Sequence, residues 1–157
     1  QSLVSSELTV SPLPLNELTV SSIAELVTSV EAARLYRGRG GELMRAAVSR
    51  LIECLSLARL ALTVKQQVRL LDSLDANLKQ PNEAIQGAAA AGLRALMRSY
   101  FPVGPKGPSQ RLQSRVVDKY VAIVERDENP AATRGFALAL GQLPSKILAP
   151  CIKVLDS

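Results

Sequence analysis

The sequence of 157 residues contains no histidine and no tryptophan, and only two phenylalanines, three tyrosines and two cysteines. The absence of histidine removes the commonest general base and metal ligand, and with them the ordinary catalytic triad and a histidine-bound zinc site. The low aromatic content argues against platforms on which single-stranded nucleic acid stacks. We therefore expect no enzymatic activity, no catalytic residue, no metal and no cofactor.

The two cysteines are also too far apart to form a CxxC pair. Cys54 and Cys151 are predicted to be buried free thiols of a reducing compartment, and a structural disulfide is the alternative. No apolar run reaches the ~20 residues that span a bilayer, and the N-terminus lacks the basic start and compact apolar segment of a signal peptide. Because the sequence also lacks an initiator methionine, we expect a cytoplasmic fragment of a longer chain with no membrane contact.

What the chain does contain is leucine, alanine and valine, together with a net charge of +5 that is unevenly placed. Between Glu31 and Arg69 there are eight basic and three acidic residues, a difference equal to the whole net charge. Such a positive stretch can steer an acidic partner, although a solvated helix face would have the same composition.

Helical spacing and capping signals dominate the chain after residue 21. Ser22 and Thr63 each precede a Glu or Gln at capping-box spacing, and Asn129 precedes a proline that suits a first helical turn. On the second helix, Leu43, Ala47, Leu51, Cys54, Leu55 and Ala58 are predicted to share the buried face. We predict an extended or partly helical lead-in over residues 1–21 and a helical region over 22–157, with hairpins over about 22–60, 63–101 and 109–143 and then a partial helix.

The fourth and sixth predicted helices match after a shift of 49 residues. Pro81 matches Pro130 at the helix start, and three pairs of small residues match further on: Ala88 with Ala137, Ala90 with Ala139 and Gly92 with Gly141. These alanines and glycines are predicted to be buried in equivalent positions. The segment NPAATRGFALALGQL also resembles the second helix of a HEAT repeat. The expected fold is therefore all-α, a HEAT-like α-solenoid of about three antiparallel helical hairpins.

Two stretches resemble a particular family more closely than any general HEAT pattern. SVEAARLYRGRGGELMRAAVSRLIECLSLA, residues 29–58, and TRGFALALGQLP, residues 133–144, look like the C-terminal HEAT-repeat region of the tubulin-folding cofactor D family, also called tubulin-specific chaperone D. The resemblance runs from about Leu18 to Leu148, is loose between Arg59 and Lys79, and is broken by the loop 102–109.

The resemblance implies a protein-binding scaffold that acts in the assembly and disassembly of the α/β-tubulin heterodimer. The implied partners are β-tubulin, the α/β-tubulin dimer, tubulin-folding cofactors C and E and an Arf-like small GTPase, in a complex that stimulates GTP hydrolysis by tubulin. The implied location is the cytoplasm, in association with the microtubule cytoskeleton. The apolar C-terminal segment KILAPCIKVL, which another repeat would cover in such an array, is expected to be hidden in the fragment either by folding back of the tail or by self-association.

The segment RLYRGRGGELMR, Arg34–Arg45, is the candidate contact site. It lacks the Gly-Lys-Ser/Thr of a phosphate-binding loop and follows a predicted helix rather than a strand, which disfavours nucleotide binding. Gly38 is predicted to end a helix in the left-handed conformation, so a simple inter-helix turn explains the glycines. It does not explain the arginines, and Arg34, Arg37, Arg39 and Arg45 are candidates for contact with acidic tubulin or a cofactor. A basic HEAT-like module that binds nucleic acid, or a generic scaffold, is the alternative function.

Overall fold

The structure, a computed structural model, describes residues 16–101, 108–126 and 129–143. These residues form six α-helices and no strand, so the predicted all-α class is confirmed for this part of the chain. None of the described helices is both long enough and apolar enough to cross a membrane. The helices are α1 Glu17–Ala32, α2 Gly41–Leu57, α3 Val64–Leu78, α4 Glu83–Tyr100, α5 Pro108–Arg126 and α6 Pro130–Gln142.

Local capping explains where most of these helices begin. Thr63 and Gln66 form the predicted reciprocal capping box of α3, and Asn129 caps α6 as predicted. The predicted start of the first helix was wrong. Asn16 caps α1 by accepting a hydrogen bond from the Thr19 amide at 2.8 Å, so the helix begins before Ser22, whose hydroxyl instead donates to a carbonyl one turn earlier.

The helices pack in two groups. Helices α2, α4 and α6 pack side by side in that order, and α1 packs against α3. Helix α3 also contacts α2, α4 and α6, while α5 packs on α6. Because α3 and α4 each touch several other helices, their buried leucines form the centre of one apolar core that extends from α1 to α6.

The buried positions recur along α2, α4 and α6. Buried residues of α2 correspond to buried positions of α4 after 41 residues, and these correspond to positions of α6 and its C-cap after a further 46. The corresponding sets are Val48, Ala89 and Gly135; Ser49, Ala90 and Phe136; Ile52, Leu93 and Ala139; and Ser56, Met97 and Leu143.

This register corrects the predicted shift of 49 residues. Ala90 and Ala139 are both buried, but Ala137 and Gly141 are exposed and therefore do not share a buried face with their proposed equivalents. The prediction matched small residues, and small residues occur on exposed helix faces as well as at close helix contacts. Burial, rather than residue size, identifies the equivalent positions.

Two glycines mark close contacts between helices. At Gly92 a methyl group would lie 3.0 Å from the Ser49 carbonyl oxygen and 3.0 Å from a Leu74 methyl carbon, and at Gly135 it would overlap the Leu78 carbonyl oxygen. Packing therefore explains Gly92, as the sequence suggested. It does not explain Gly87, where a methyl group would meet nothing within 4 Å.

The predicted inward face of α2 was correct for Leu55, which is buried, and wrong for four of its six residues. Leu43 is 78% exposed, and Ala47, Cys54 and Ala58 are exposed as well. Besides Leu55, the helix buries the side chains of Val48, Ser49, Ile52 and Ser56. The small serines permit the close approach of α4, which a pattern of apolar residues alone does not predict. The prediction of a buried Cys54 thiol fails for the same reason, whereas Cys151 and the predicted helix after residue 144 lie outside the described residues.

A buried polar group joins α3 to α5. Asp75 is 5% exposed, and its carboxylate accepts hydrogen bonds from the Tyr120 hydroxyl and, at 2.6 Å, from the Lys119 ammonium group. Burial, reinforced by the charge of Asp75 and its hydrogen bond, raises the pKa of Tyr120, which therefore remains a neutral donor. The Tyr120 ring packs at 4.8 Å, centroid to centroid, from that of Phe136 on α6.

Candidate protein-contact site

The arginine-rich segment begins where α1 ends. The Arg34 amide donates to the Glu31 carbonyl at 3.0 Å and the Leu35 amide to the Val30 carbonyl at 3.2 Å, the two bonds of a Schellman cap. Arg34 itself takes the left-handed conformation, with φ of 57°. The prediction that Gly38 ends the helix was therefore wrong, because the helix stops earlier with an arginine at the position that usually holds glycine.

A structural reason favours glycine at each of the three glycine positions of the turn. Gly38 and Gly40 have φ values of 78° and 85°, which side chains with a Cβ atom rarely adopt. Gly41, the first residue of α2, is buried, and a methyl group there would lie 2.6 Å from the Tyr36 carbonyl carbon. The glycines thus fold the turn back on itself and hold Tyr36 against the start of α2.

The turn presents three of the four candidate arginines to solvent. Arg34, Arg37 and Arg39 are all exposed. Among the described residues none of the three side chains takes part in an ion pair or a side-chain hydrogen bond. Their position on a turn between α1 and α2 leaves three guanidinium groups at one edge of the helical assembly, where a carboxylate could approach them in bidentate geometry.

Arg45 is held differently from the other three. It is half-buried, its guanidinium carbon lies 4.4 Å from the centroid of the Tyr36 ring, and its Nη1 donates to the Asn77 Oδ1 at 2.9 Å. Asn77 in turn donates to the Arg45 carbonyl and to the Ser49 hydroxyl. The sequence grouped Arg45 with the exposed arginines, whereas the fold uses it to join the turn, α2 and α3.

An open cavity of about 530 Å³ lies behind this turn, between α1, α2 and α3. Its polar lining includes Glu31, Tyr36, Arg45, Arg69, Asp72 and Ser73. The Ser73 hydroxyl donates to the Glu31 carboxylate at 2.7 Å. The Tyr36 hydroxyl is buried, and no group of the described residues forms a hydrogen bond with it.

Burial is the main reason that the pKa of Tyr36 is raised to about 12; the negative charge of Glu31 adds to the effect and the positive charge of Arg45 opposes it. The phenol is consequently a neutral hydrogen-bond donor at physiological pH. The cavity is therefore lined by two guanidinium groups and two carboxylates, with the buried phenol of Tyr36 beside them. Such a combination suits binding of a polar group from another molecule.

Sequence reasoning missed most of this cavity. Arg69 and Asp72 lie on α3, more than thirty residues after Tyr36, and only the packing of α1 on α3 brings them together. In the part of the chain that the structure describes, no three His, Cys, Asp or Glu residues are grouped so as to hold a metal ion. No protein-family model matches this chain, and no solved structure matches it significantly.

Proposed function

We propose that this chain is a protein-binding scaffold segment of a tubulin-folding cofactor, which acts in the assembly and disassembly of the α/β-tubulin heterodimer. The observation that carries the proposal is the group of exposed guanidiniums of Arg34, Arg37 and Arg39, held on a turn that glycines and a helix cap fix in place. The family resemblance of residues 29–58 and 133–144 supplies the identity of the partner.

The proposed architecture is a HEAT-like α-solenoid of about three helical hairpins, in which α3 packs on α4 and α5 on α6, while α1 packs on α3. The recurrence of buried positions after 41 and then 46 residues supports it, since HEAT units are ~40–47 residues long. The side-by-side packing of α2, α4 and α6 is the arrangement expected of equivalent helices in successive units.

The exposed side of α2 fits the same proposal. Cys54 on α2 is exposed, whereas Ala95, its equivalent on α4 after 41 residues, is 5% exposed. A helix at the edge of an array can leave exposed a position that its counterpart on the next helix buries. The scaffold would thereby present both an apolar edge for another helical unit and a charged turn for tubulin.

Electrostatics favour an acidic partner for the turn. Tubulin is acidic, and clustered arginines raise the rate of encounter with an acidic surface and fix its orientation. β-Tubulin, cofactors C and E and an Arf-like GTPase are the partners proposed for the assembled complex, in the cytoplasm and at the microtubule cytoskeleton. Nucleic acid is the second candidate, because the same arginines can contact phosphates.

Pull-down assays separate these two candidates. The immobilised chain is incubated with α/β-tubulin dimer, with duplex DNA and with single-stranded RNA at equal ionic strength. The proposal predicts retention of tubulin and weak retention of both nucleic acids. Retention of nucleic acid with a steep salt dependence, in the absence of tubulin binding, would instead establish a nucleic-acid-binding module.

A further inference from the structure

The buried hydroxyl of Tyr36 is a polar group without a partner among the described residues. Buried polar groups in native proteins are nearly always hydrogen-bonded, so an exception requires an explanation. Tyr36 is one of the residues that line the open cavity between α1, α2 and α3, and its ring is fixed in place by Arg45 on its face and by Gly41 against its backbone. The buried donor is therefore held in position beside the cavity.

The groups around this donor indicate what kind of ligand it would receive. Arg45 and Arg69 contribute two positive charges to the lining, and the exposed Arg34, Arg37 and Arg39 belong to the neighbouring turn. The lining also contains two carboxylates, those of Glu31 and Asp72. The Ser73 hydroxyl already donates a hydrogen bond to the carboxylate of Glu31. The carboxylate of Asp72 belongs to an exposed residue of α3.

We propose that the cavity behind the turn binds a carboxylate side chain from an acidic segment of a partner protein, with the Tyr36 hydroxyl and the Arg45 and Arg69 guanidiniums as donors. The inference rests on the proposed function as a protein-binding scaffold and specifies the chemistry of the bound segment. It assigns the exposed arginines of the turn to attraction of that segment and the cavity to its specific recognition.

The donors of the lining favour an anionic acceptor over a cationic side chain. Because the lining contains two carboxylates for its two guanidiniums, a phosphate gains no net advantage from its second negative charge, and a carboxylate satisfies the same donors with a single charge. A lysine or arginine side chain would be repelled by Arg45 and Arg69, and it could not accept the hydrogen bond that Tyr36 offers.

The affinity test uses the full 157-residue chain and a fluorescein-labelled octaglutamate peptide with an amidated C-terminus. Tyr36→Phe removes only the hydroxyl and is expected to weaken peptide binding about tenfold or more, as the loss of a hydrogen bond to a charged group does. Asp72→Asn removes one repelling carboxylate and is expected to strengthen binding, whereas the matched change Asp118→Asn, at an exposed residue of α5, should have no effect.

A stability measurement distinguishes a binding role from a structural one. Because its hydroxyl lacks a partner, Tyr36→Phe should raise the melting temperature of the free chain by about 2–4 °C. Tyr100→Phe is the matched control, since the Tyr100 hydroxyl donates to the Leu60 carbonyl at 2.7 Å and its removal should lower the melting temperature. A lower melting temperature for Tyr36→Phe would overturn the inference, because the hydroxyl would then be satisfied within the free protein.

Competing ligands complete the test. Weaker octaglutamate binding by Asp72→Asn, or tighter binding of octalysine than of octaglutamate, would show a site for cations and overturn the inference. Displacement of octaglutamate by inorganic phosphate at constant ionic strength, or equal affinity for a neutral peptide with a free C-terminal carboxylate, would also contradict it. Tubulin binding that is unaffected by Tyr36→Phe would refute the cavity alone, while octaglutamate binding without tubulin binding would refute only the proposed partner.

Discussion

Replacement of Gly135 by alanine tests a close contact between α6 and α3. Gly135 lies on α6, where a methyl group would overlap the Leu78 carbonyl oxygen and lie 2.8 Å from its carbon and 2.9 Å from the Gln86 Nε2. The backbone of α3 cannot rotate away as the end of a side chain could. Helix α6 must therefore move away from α3 to accommodate the substitution.

The cost follows from three contributions. Overpacking against backbone lies at the upper end of ~1–3 kcal/mol. The displacement also strains the hydrogen bonds that Gln86 donates to the Leu78 carbonyl at 3.0 Å and to the Ala131 carbonyl at 2.7 Å, which adds about 1 kcal/mol. Alanine recovers ~1 kcal/mol of helix propensity. We expect Gly135→Ala to lower the free energy of unfolding by about 3 kcal/mol, a large part of the stability of an ordinary domain.

Urea denaturation followed by circular dichroism at the helical band measures this change. Gly87→Ala is the matched control, because it makes the same chemical change within α4 where a methyl group meets nothing within 4 Å. It should raise the free energy of unfolding by about 1 kcal/mol. If Gly135→Ala were as stable as the wild type, or if both variants were stabilised equally, the close packing of α6 on α3 would be wrong.

Three further substitutions or labelling experiments test other parts of the fold. Arg59→Gly should raise the free energy of unfolding by about 0.5–1 kcal/mol in urea denaturation, since Arg59 has a φ of 51° and glycine relieves ~1–2 kcal/mol of left-handed strain at a smaller entropic cost. In a chain carrying Cys151→Ser, a thiol reagent should label Cys54 rapidly in the native state, because Cys54 is exposed; labelling only after unfolding would contradict the orientation of α2. Asp75→Asn should lower the free energy of unfolding by about 2–4 kcal/mol in urea denaturation, because it removes the negative charge that pairs with Lys119 and accepts a hydrogen bond from Tyr120. An unchanged denaturation midpoint would show that this link between α3 and α5 does not stabilise the fold.

Helix starts were the most predictable feature of the sequence, because a cap is a local interaction. The Gln66 backbone amide donates to the Thr63 hydroxyl and the Thr63 backbone amide donates to the Gln66 side-chain carbonyl, both within one turn, so their spacing alone was sufficient. The same logic failed at Ser22, whose hydroxyl can also bond to a carbonyl one turn earlier when a cap such as Asn16 comes first. Local rules therefore identify candidates for a helix start, and the chain before them decides which is used.

The inward face of α2 could not be deduced from local rules. Leu43 and Cys54 are apolar but exposed, whereas Ser49 and Ser56 are fully buried. The buried serines leave room for α4, and Ser56 satisfies its hydroxyl by donating to the Ile52 carbonyl at 2.7 Å. Which face turns inward thus depends on the neighbouring helix, and a single-helix pattern does not contain that information.

The candidate site was only half predictable for a related reason. The sequence of the turn identified Arg37 and Arg39 as charges that a simple connection between helices does not require, and both residues are exposed as expected. The distinct role of Arg45 and the cavity next to Tyr36 depend on α3, which is distant in sequence. Sequence reasoning found the charged edge of the site, and tertiary packing creates the cavity behind it.

The central claim, that the arginine-rich turn binds tubulin, is tested most directly by titrating α/β-tubulin dimer against the fluorescently labelled chain. The comparison is among the wild type, Arg37→Glu with Arg39→Glu, and the matched double reversal Arg94→Glu with Arg98→Glu at exposed positions of α4. The account predicts that the turn variant binds about tenfold more weakly at low ionic strength, with the difference shrinking as salt screens the charges. The α4 variant should bind like the wild type, and all three should have the same helical content. Equal affinity of the wild type and the turn variant across the salt series would contradict the account and leave the turn as a connection between two helices.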